Sequence, residues 1–498
     1  MTATGQHTAT PRRPAGPAAT DLDAIVGELC RLLPAWLPGR RWYAGKGHGL
    51  SEVRPLLAEI VVPGTPALLQ TVFRTDDGAC YQLLVGAAPG PPGAGVPADA
   101  VIGSARTPDG RRLTLYEAST DPELLSALLD RFVAAEPCGA LEYHHVPAAV
   151  IPSGLRARPL TGEQSNTSVA FGDRMMLKVL RRIMPGANTE LEMLTALERA
   201  GDVPSAAPLA WAQTAALQGA EPAALCILQE FVPSRGDGWS IATAQAEACI
   251  RGACASLTPP GGFSDDAFRL GRATAQVHRA LAQQLESRPL SLPEAAELTD
   301  TLLARLDDAL DEVPDLTPCA RGLQNAYRDL SEVVRRGNPL PVQRIHGDLH
   351  LGQALRTADT WVLIDFEGEP GHPFAERRHL QPAVRDVAAM LRSFDYAAHH
   401  ALGDVLGAPP GRQAPHDPRG ARLARRASAW ALHSRRAFCA GYTAAGGPDP
   451  RTSPVLLRAF EADKAVYEAL YEARNRPEWL PIPLAAVRRL AHGGRPAH

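Results

Sequence analysis

The segment from His346 to Pro370, HGDLHLGQALRTADTWVLIDFEGEP, sets two aspartates seventeen residues apart, each beside an apolar stretch. Asp348 ends the triplet His346-Gly347-Asp348 and is followed five positions later by the amide of Gln353, while Asp365 closes the run WVLID and precedes Phe366. Ala358 and Asp359 supply a turn between them, so the segment reads as strand, turn, strand. Such a hairpin brings both carboxylates to one mouth. Phosphoryl transfer needs one carboxylate to take the proton of an acceptor hydroxyl and a second to hold magnesium on the phosphates. The offsets here meet that need: a His-x-Asp, an amide five residues on, then a strand-borne Asp followed by Phe. A single aspartate in a turn or at a strand end is usually a cap, but that reading does not account for all four groups at these offsets.

With 498 residues the chain exceeds what one core usually serves, so a composite fold is expected. Residues 1–20, rich in Thr, Pro, Ala and Gly, read as a disordered tail. From Asp21, placed as an N-cap, the spacing of Leu22, Ile25, Val26, Leu29, Leu32 and Leu33 predicts a helix. SEVRPLLAEIVV, ALLQTVFRT and CYQLLVGA then read as a meandering sheet, completing a first α/β domain over 21–125. A small strand-rich lobe is expected over 126–232: LTGEQSNTSVAFGDRMMLKVLRRI as strands around a polar turn, NTELEMLTALER as a helix, and ALCILQEFVP as a buried strand. Helical periods dominate 233–498. The fold class is α+β.

Composition narrows the partners. A net charge of −3 provides no basic field for nucleic acid. No run of eighteen apolar residues suggests a membrane span, and the first residues lack the apolar stretch of a signal peptide, so a cytoplasmic protein is expected. The eight cysteines, at 30, 80, 138, 226, 249, 254, 319 and 439, have no metal-finger spacing and read as reduced core thiols.

On HGDLHLGQ and LIDFEGEP the chain resembles the protein-kinase-like small-molecule kinases, which include aminoglycoside phosphotransferases and choline kinases. With LRSFDYAA, the C-terminal DKAVYEALYEARNRPEWLPIPLAAV and the N-terminal RRWYAGKG, it looks more closely like the bacterial maltokinases, over residues 21 to 488. The resemblance implies a bilobal kinase-like fold with an N-terminal cap and an ATP cleft between the lobes. It implies transfer of phosphate from ATP, with Mg²⁺, to the anomeric hydroxyl of maltose, feeding α-glucan or glycogen synthesis. Association with trehalose synthase, the source of maltose, is implied as well.

Carried onto this sequence, the resemblance makes Asp348 the catalytic base and Gln353 with Asp365 the magnesium ligands, Gln replacing the usual Asn. Lys178, in the strand MMLKVL, would grip ATP phosphates and pair with Glu192 on the next helix. Gly162, Ser165, Asn166, Thr167 and Ser168 would form the turn above the phosphates, and Gln229, Glu230, Phe231 and Val232 the hinge offered to adenine. His346 and His350 flank Asp348; His346 is expected to orient backbone and aspartate. Sugar binding is expected from two clusters: Asp386, Arg392, Ser393, Asp395 and Tyr396, and the helical stripe Lys464, Tyr467, Glu468, Tyr471, Glu472 and Asn475.

Two motifs mislead. AGKG at 44–47 is not a phosphate-binding P-loop, because Gly39 is one position too far away and Gly47 stands where Ser or Thr is required. The pairs His144–His145 and His399–His400 have no acidic partner in a zinc-binding arrangement. A shared kinase core does not fix the acceptor, so a kinase for glucosamine or an aminoglycoside remains an alternative. A catalytically dead sugar sensor is disfavoured by the presence of Asp348, Asp365, Lys178 and Glu192 together.

Overall fold

A computed structural model describes residues 17, 19–45, 49–93, 95–147, 149–160, 165–217, 221–252, 262–369, 374–409 and 418–493. Most of the expected tail, Gly162 and Cys254 therefore lie outside the described residues. The chain forms two compact units, one of residues 1–191 with 207–231, the other of 192–206 with 232–498.

The first unit opens with α1 (Leu22–Trp36), followed by β1 (Val53–Val62), β2 (Ala67–Thr75), β3 (Cys80–Ala88), β4 (Val101–Arg106) and β5 (Arg112–Glu117). These strands pair antiparallel in the order β1-β2-β3-β5-β4. Ile25, Leu29 and Leu33 of α1 recur at helical spacing and pack on Leu69, Phe73, Leu83 and Leu113 of the sheet. Asp21 precedes α1 but makes no side-chain cap; its carboxylate instead meets Arg111 at 2.9 Å. A helical turn at residues 19–21 puts Asp21 in the αR conformation, where an N-cap would be extended.

A second sheet follows α2 (Pro122–Ala134). Its strands are β6 (Leu141–His145), β7 (Ala157–Pro159), β8 (Thr167–Phe171), β9 (Met175–Val179), β11 (Pro208–Thr214) and β12 (Ala223–Glu230), ordered β6-β11-β12-β9-β8-β7. The two-residue β10 (Arg182–Ile183) leaves this path and pairs with β3 of the first sheet. Leu125, Leu128, Leu129 and Phe132 of α2 share one core with Val61, Val72 and Leu84 of the first sheet and Leu177, Val179 and Leu225 of the second. Two sheets that share a helix and a core form one packed body.

Helix α3 (Thr189–Ala200) starts in the first unit and ends in the second. The second unit continues with α4 (Gly238–Arg251), α5 (Phe263–Gln284), β13 (Ser287–Pro289), α6 (Leu292–Glu312), α7 (Ala320–Arg335) and β14 (Pro341–Gln343). The hairpin β15 (Ala354–Arg356) and β16 (Trp361–Leu363) comes next, then α8 (Phe374–Arg377), α9 (Val384–Leu406), α10 (Pro418–Ala444), α11 (Pro454–Asn475) and α12 (Pro481–Ala491). Among the described residues, no helix is long and apolar enough to cross a membrane. Of the seven described cysteines, Cys80, Cys226, Cys249, Cys319 and Cys439 are buried.

Two glycines let α5 and α10 cross at close range. A Cβ at Gly271 would lie 2.0 Å from the carbonyl oxygen of Phe438, and one at Gly441 would lie 1.9 Å from that of Phe268. Backbone cannot yield as a flexible side chain does. Gly441→Ala should therefore destabilise the protein by about 1–3 kcal/mol through overpacking, seen as a lower urea midpoint. An unchanged midpoint would mean that the helices separate without cost.

Candidate active site

The β15–β16 hairpin follows the sequence expectation, with Ala354 opposite Leu363 and Arg356 opposite Trp361. Trp361 is buried and its indole N–H donates to the carbonyl of Asp266 at 2.9 Å, so the hairpin is anchored to α5. At the open end of the hairpin the Gln353 amide nitrogen donates to Asp365 Oδ2 at 3.0 Å. Asp365 holds φ at 66°, a left-handed conformation uncommon for a residue with a side chain. The pair presents a carboxylate and an amide side by side, hard oxygen donors of the type magnesium takes.

The loop that carries Asp348 is fixed from beneath. Asp386 of α9 is fully buried; its Oδ2 accepts the His346 N–H at 2.8 Å and its Oδ1 the Gly347 N–H at 3.0 Å, while His278 Nε2 lies 2.9 Å from Oδ2. Burial pushes this carboxyl up, but the His278 hydrogen bond and the nearby imidazoles outweigh it and hold it below the usual range. Two turns further along the same helix face, Ser393 Oγ accepts the Leu351 N–H at 3.1 Å. Asp386 and Ser393, expected at the sugar, thus hold the loop, and Asp386 also lines the cavity beside it.

His346 is likewise structural. Its ring is buried against Phe366, with centroids 4.9 Å apart, and its Nε2 donates to the Ile364 carbonyl at 2.9 Å while Nδ1 accepts the Asp348 N–H at 3.4 Å. The imidazole joins the Asp348 loop to the strand leading into Asp365, which leaves it no face for substrate. His350 accepts the Gly352 N–H at its Nδ1 and faces Asp348 Oδ2 across 4.0 Å. Burial lowers its pKa from the ordinary imidazole value.

A cavity of about 450 Å³ opens beside this loop, lined by Gly347, Glu369, Lys464, Tyr467, Tyr471 and Asn475 among others. That volume suits a small polar ligand. Lys464 Nζ lies 2.5 Å from Glu369 Oε1 and 3.5 Å from Asp348 Oδ1. Burial works against its ammonium, but the Glu369 and Asp348 carboxylates outweigh that and raise its pKa. The next acid, Asp463, stands 3.7 Å from both Arg305 and Arg385.

The expected polar stripe on α11 divides. Lys464, Tyr467, Tyr471 and Asn475 face the cavity, whereas Glu468 and Glu472 lie roughly 80° further round the helix at its 3.6-residue period. Glu468 receives Arg392 at 2.7 Å, and Glu472 receives Arg476 at 2.7 Å and the Tyr396 hydroxyl at 3.4 Å. Asp395 Oδ2 takes Arg392 at 3.1 Å and Arg435 and Arg489 at 3.3 Å each. Arg392, Asp395, Tyr396, Glu468 and Glu472 therefore form an ion-pair network tying α9 to α10, α11 and α12, and none of them lines the cavity beside Asp348.

In the first unit Lys178 is buried on β9 and its Nζ meets Glu190 Oε2 at 2.7 Å. The expected partner, Glu192, instead receives Arg344 at 2.9 Å. Two residues on a helix differ by about 200° in direction, so only one of the two glutamates can face the strand, and the start of α3 at Thr189 selects Glu190. Thr167 and Ser168 lie within β8 rather than in the turn, and the Thr167 hydroxyl accepts from Arg181 Nε at 2.8 Å. Asn166 Oδ1 accepts the Arg181 N–H at 3.0 Å. In the segment expected as the hinge, Gln229 and Glu230 close β12, and the amides of Glu230 and Phe231 donate to the carbonyls of Ala207 and Arg174. Val232 follows β12 and precedes Pro233.

Sequence reasoning missed Glu190, Glu369 and Asp463. Glu369 stands in the FEGEP motif only four residues beyond Asp365, so its proximity to the loop was available from spacing. Its lysine partner, 95 residues away, was not.

Comparison with known proteins adds the context. Residues 36–121 match the maltokinase N-terminal cap domain, and residues 156–421 match the phosphotransferase enzyme family. A glucosamine kinase of Streptacidiphilus jiangxiensis is 29% identical over 354 residues, covering 68% of this chain and 75% of its own length. Another, from Mycolicibacterium smegmatis (strain ATCC 700084 / mc(2)155), is 28% identical over 341 residues, covering 68% and 80%. The structure of a glucosamine kinase in complex with glucosamine, ADP and inorganic phosphate matches with a TM-score of 0.63 at 21% identity, over 95% of this chain and 99% of that one, which establishes the likeness of fold.

The Asp386 clamp makes a direct prediction. In Asp386→Asn one side-chain oxygen must serve donors that now have two, leaving a buried N–H opposed by an NH₂ at a cost of about 1–3 kcal/mol. Turnover should fall about tenfold or more while the protein stays folded. Because the folded pKa is depressed, the contribution of Asp386 is fully present above the unfolded aspartate value of about 3.9. It is lost as pH falls through the folded value, so the urea midpoints of wild type and variant should converge in acid.

Proposed function

Since the chain belongs to the phosphotransferase enzyme family, we propose that it transfers the γ-phosphoryl group of ATP to the anomeric hydroxyl of maltose, giving maltose 1-phosphate and ADP. The observation that carries the choice of a neutral sugar is the position of Lys464, whose ammonium sits between Glu369 and Asp348 in the cavity. An amino sugar brings its own ammonium and needs a carboxylate without a cation. Here the acids nearest the loop are matched internally, Glu369 by Lys464 and Asp463 by Arg305 and Arg385. Tyr467 and Tyr471, stacked with centroids 6.5 Å apart, offer ring faces to the apolar sides of sugars. The match to the maltokinase cap supports the same reading.

In this mechanism Asp348 orients the acceptor hydroxyl and takes its proton as the bond to phosphorus forms. Lys464 steers one carboxylate oxygen, and Asp386 with His346 holds the loop so that Asp348 need not reorganise. Lys178, aligned by Glu190, is the cation for the ATP phosphates. Asp365 and Gln353 would hold Mg²⁺, which when bound neutralises phosphate oxygens. The reading carries with it a cytoplasmic setting and trehalose synthase as the source of maltose.

Glucosamine is the second reading, favoured by the two curated relatives. Asp308, exposed on α6 and lining the same cavity, is the carboxylate that could receive its ammonium.

A coupled ADP-release assay with ATP and Mg²⁺ against maltose, glucose, glucosamine and an aminoglycoside separates these, with ³¹P NMR locating the phosphate. An anomeric phosphate on maltose is expected; turnover confined to glucosamine would overturn the acceptor and keep the kinase. Asp348→Asn should lower kcat by about 10²–10⁴-fold, the usual worth of a general base, with ADP binding retained. Near-normal turnover in that variant would remove Asp348 from the role of base.

A further inference from the structure

Two helices of the second unit each expose a face of a single charge sign. Over its 27 residues α10 carries six arginines and neither Asp nor Glu. Arg419, Arg422, Arg425 and Arg436 are exposed, on the side turned away from the buried Leu423, Ala427, Trp430 and Phe438. Helix α6 is the opposite case, with seven acids against Arg305 alone. Three of the seven are used locally: Glu294 by Arg288, Glu312 by Arg474, and Asp308 at the cavity wall. The other four, Glu297, Asp300, Asp307 and Asp311, are exposed. At 3.6 residues per turn they fall within an arc of about 80°, opposite the buried Ala295, Leu302, Leu306 and Ala309. Among the described residues no cation meets these four carboxylates, and no carboxylate meets Arg422 or Arg425.

Both faces cost the single molecule stability. Like charges three or four residues apart repel on a helix, and Arg422 has Arg419, Arg425 and Arg426 at those offsets, as Asp307 has Asp311 and Asp300 has Glu297. The helix dipole adds to the cost, because Arg419 stands in the first turn of α10 and Asp311 in the last turn of α6, the ends that disfavour those charges. A solvated face normally mixes signs, as α7 does where Glu332 is shared by Arg335 and Arg336. The two faces also agree in length: at a rise of 1.5 Å per residue, Glu297 to Asp311 spans about 21 Å and Arg419 to Arg436 about 25 Å. With a net charge of only −3, two molecules have little overall repulsion to overcome.

We propose that the chain associates with a second copy of itself, the arginine face of α10 in one molecule lying against the carboxylate face of α6 in the other. Such a contact relieves the repulsion on both helices at once, including Arg419 and Asp311 at the ends the dipoles oppose. Since the two faces differ, every molecule offers both, and a two-fold pair that makes the contact twice is closed whereas a single contact propagates. Exposed ion pairs are individually weak and are screened by salt, so the association is reversible and salt-sensitive. Nothing in it depends on which acceptor the enzyme phosphorylates.

Sedimentation velocity on the full chain tests this, over a concentration series at about 0.01 M salt, where charges act across about 30 Å, and at about 1 M, where they act across about 3 Å. The wild type is expected to gain mass with concentration in low salt and to run as a monomer in high salt. Two double variants reverse one face each: Arg422→Glu with Arg425→Glu, and Asp307→Lys with Asp311→Lys. Each alone should lose at least tenfold in association, with folding confirmed by its urea midpoint, while an equimolar mixture of the two should associate again because both contacts are then attractive. A wild type that stays monomeric in low salt would overturn the proposal, as would association that survives either reversal. Loss in both variants without recovery in the mixture would overturn it too, since the two faces would then not be meeting each other. Should one variant not fold, the other mixed with wild type still decides: only one of its two contacts is attractive, so association must fall between that of wild type and that of the variant alone, and any other order counts against the pairing.

Discussion

One carboxylate bears most of the weight in the second unit. Asp386 is buried and charged, and a charge in that position is tolerable only when its oxygens are fully used. It uses them on two consecutive loop amides and on His278. Because both amides come from the residues just before Asp348, satisfying Asp386 sets the loop backbone, and the backbone sets Asp348. His346 then passes that order on to Ile364, one residue before Asp365. The two aspartates are therefore held by one hydrogen-bonded network.

Helix α11 shows how a single element serves fold and chemistry together. Its cavity face carries Lys464, Tyr467 and Tyr471; its neighbouring face carries Glu468 and Glu472 into the arginine network of α9. Burial raises the pKa of Glu468, yet Arg392 stands 2.7 Å away to receive its charge. The network does not touch the cavity, but it fixes the rotation of α11 about its own axis. A rotation error of one residue would carry Lys464 away from Asp348. Directional ion pairs constrain that rotation in a way that apolar packing, which tolerates repacking, does not.

The hairpin segment that carries Asp348, Gln353 and Asp365 was legible because its information is local. The offsets among His346, Asp348, Gln353 and Asp365 lie within twenty residues, and β-hairpin geometry converts them directly into proximity. The helical stripes and the meander of the first sheet were legible for the same reason. The misreadings arose where one residue of phase decides the outcome. Glu190 and Glu192 are equally plausible partners for Lys178 until the first residue of α3 is known, and the stripe on α11 splits by less than a quarter turn. Long-range partners left no trace at all: nothing in the local sequence ties Lys464 to Glu369, Asp395 to three arginines, or Gln82 to the strand that follows Lys178.

The cap illustrates the same limit from the side of function. As a sequence it is a helix and a meander with an apolar core of its own, which suggests an independent appendage. Its buried polar residues say otherwise. Gln70, Gln82 and Glu117 have no reason to be inside a self-sufficient domain, since each costs desolvation that only a partner offsets. The partners of Gln82 and Glu117 are supplied by the strand and turn around Lys178, so the cap's interior is complete only with that lobe in place. An appendage whose polar core is completed by the Lys178 strand and the residues that follow it cannot shift without breaking those hydrogen bonds.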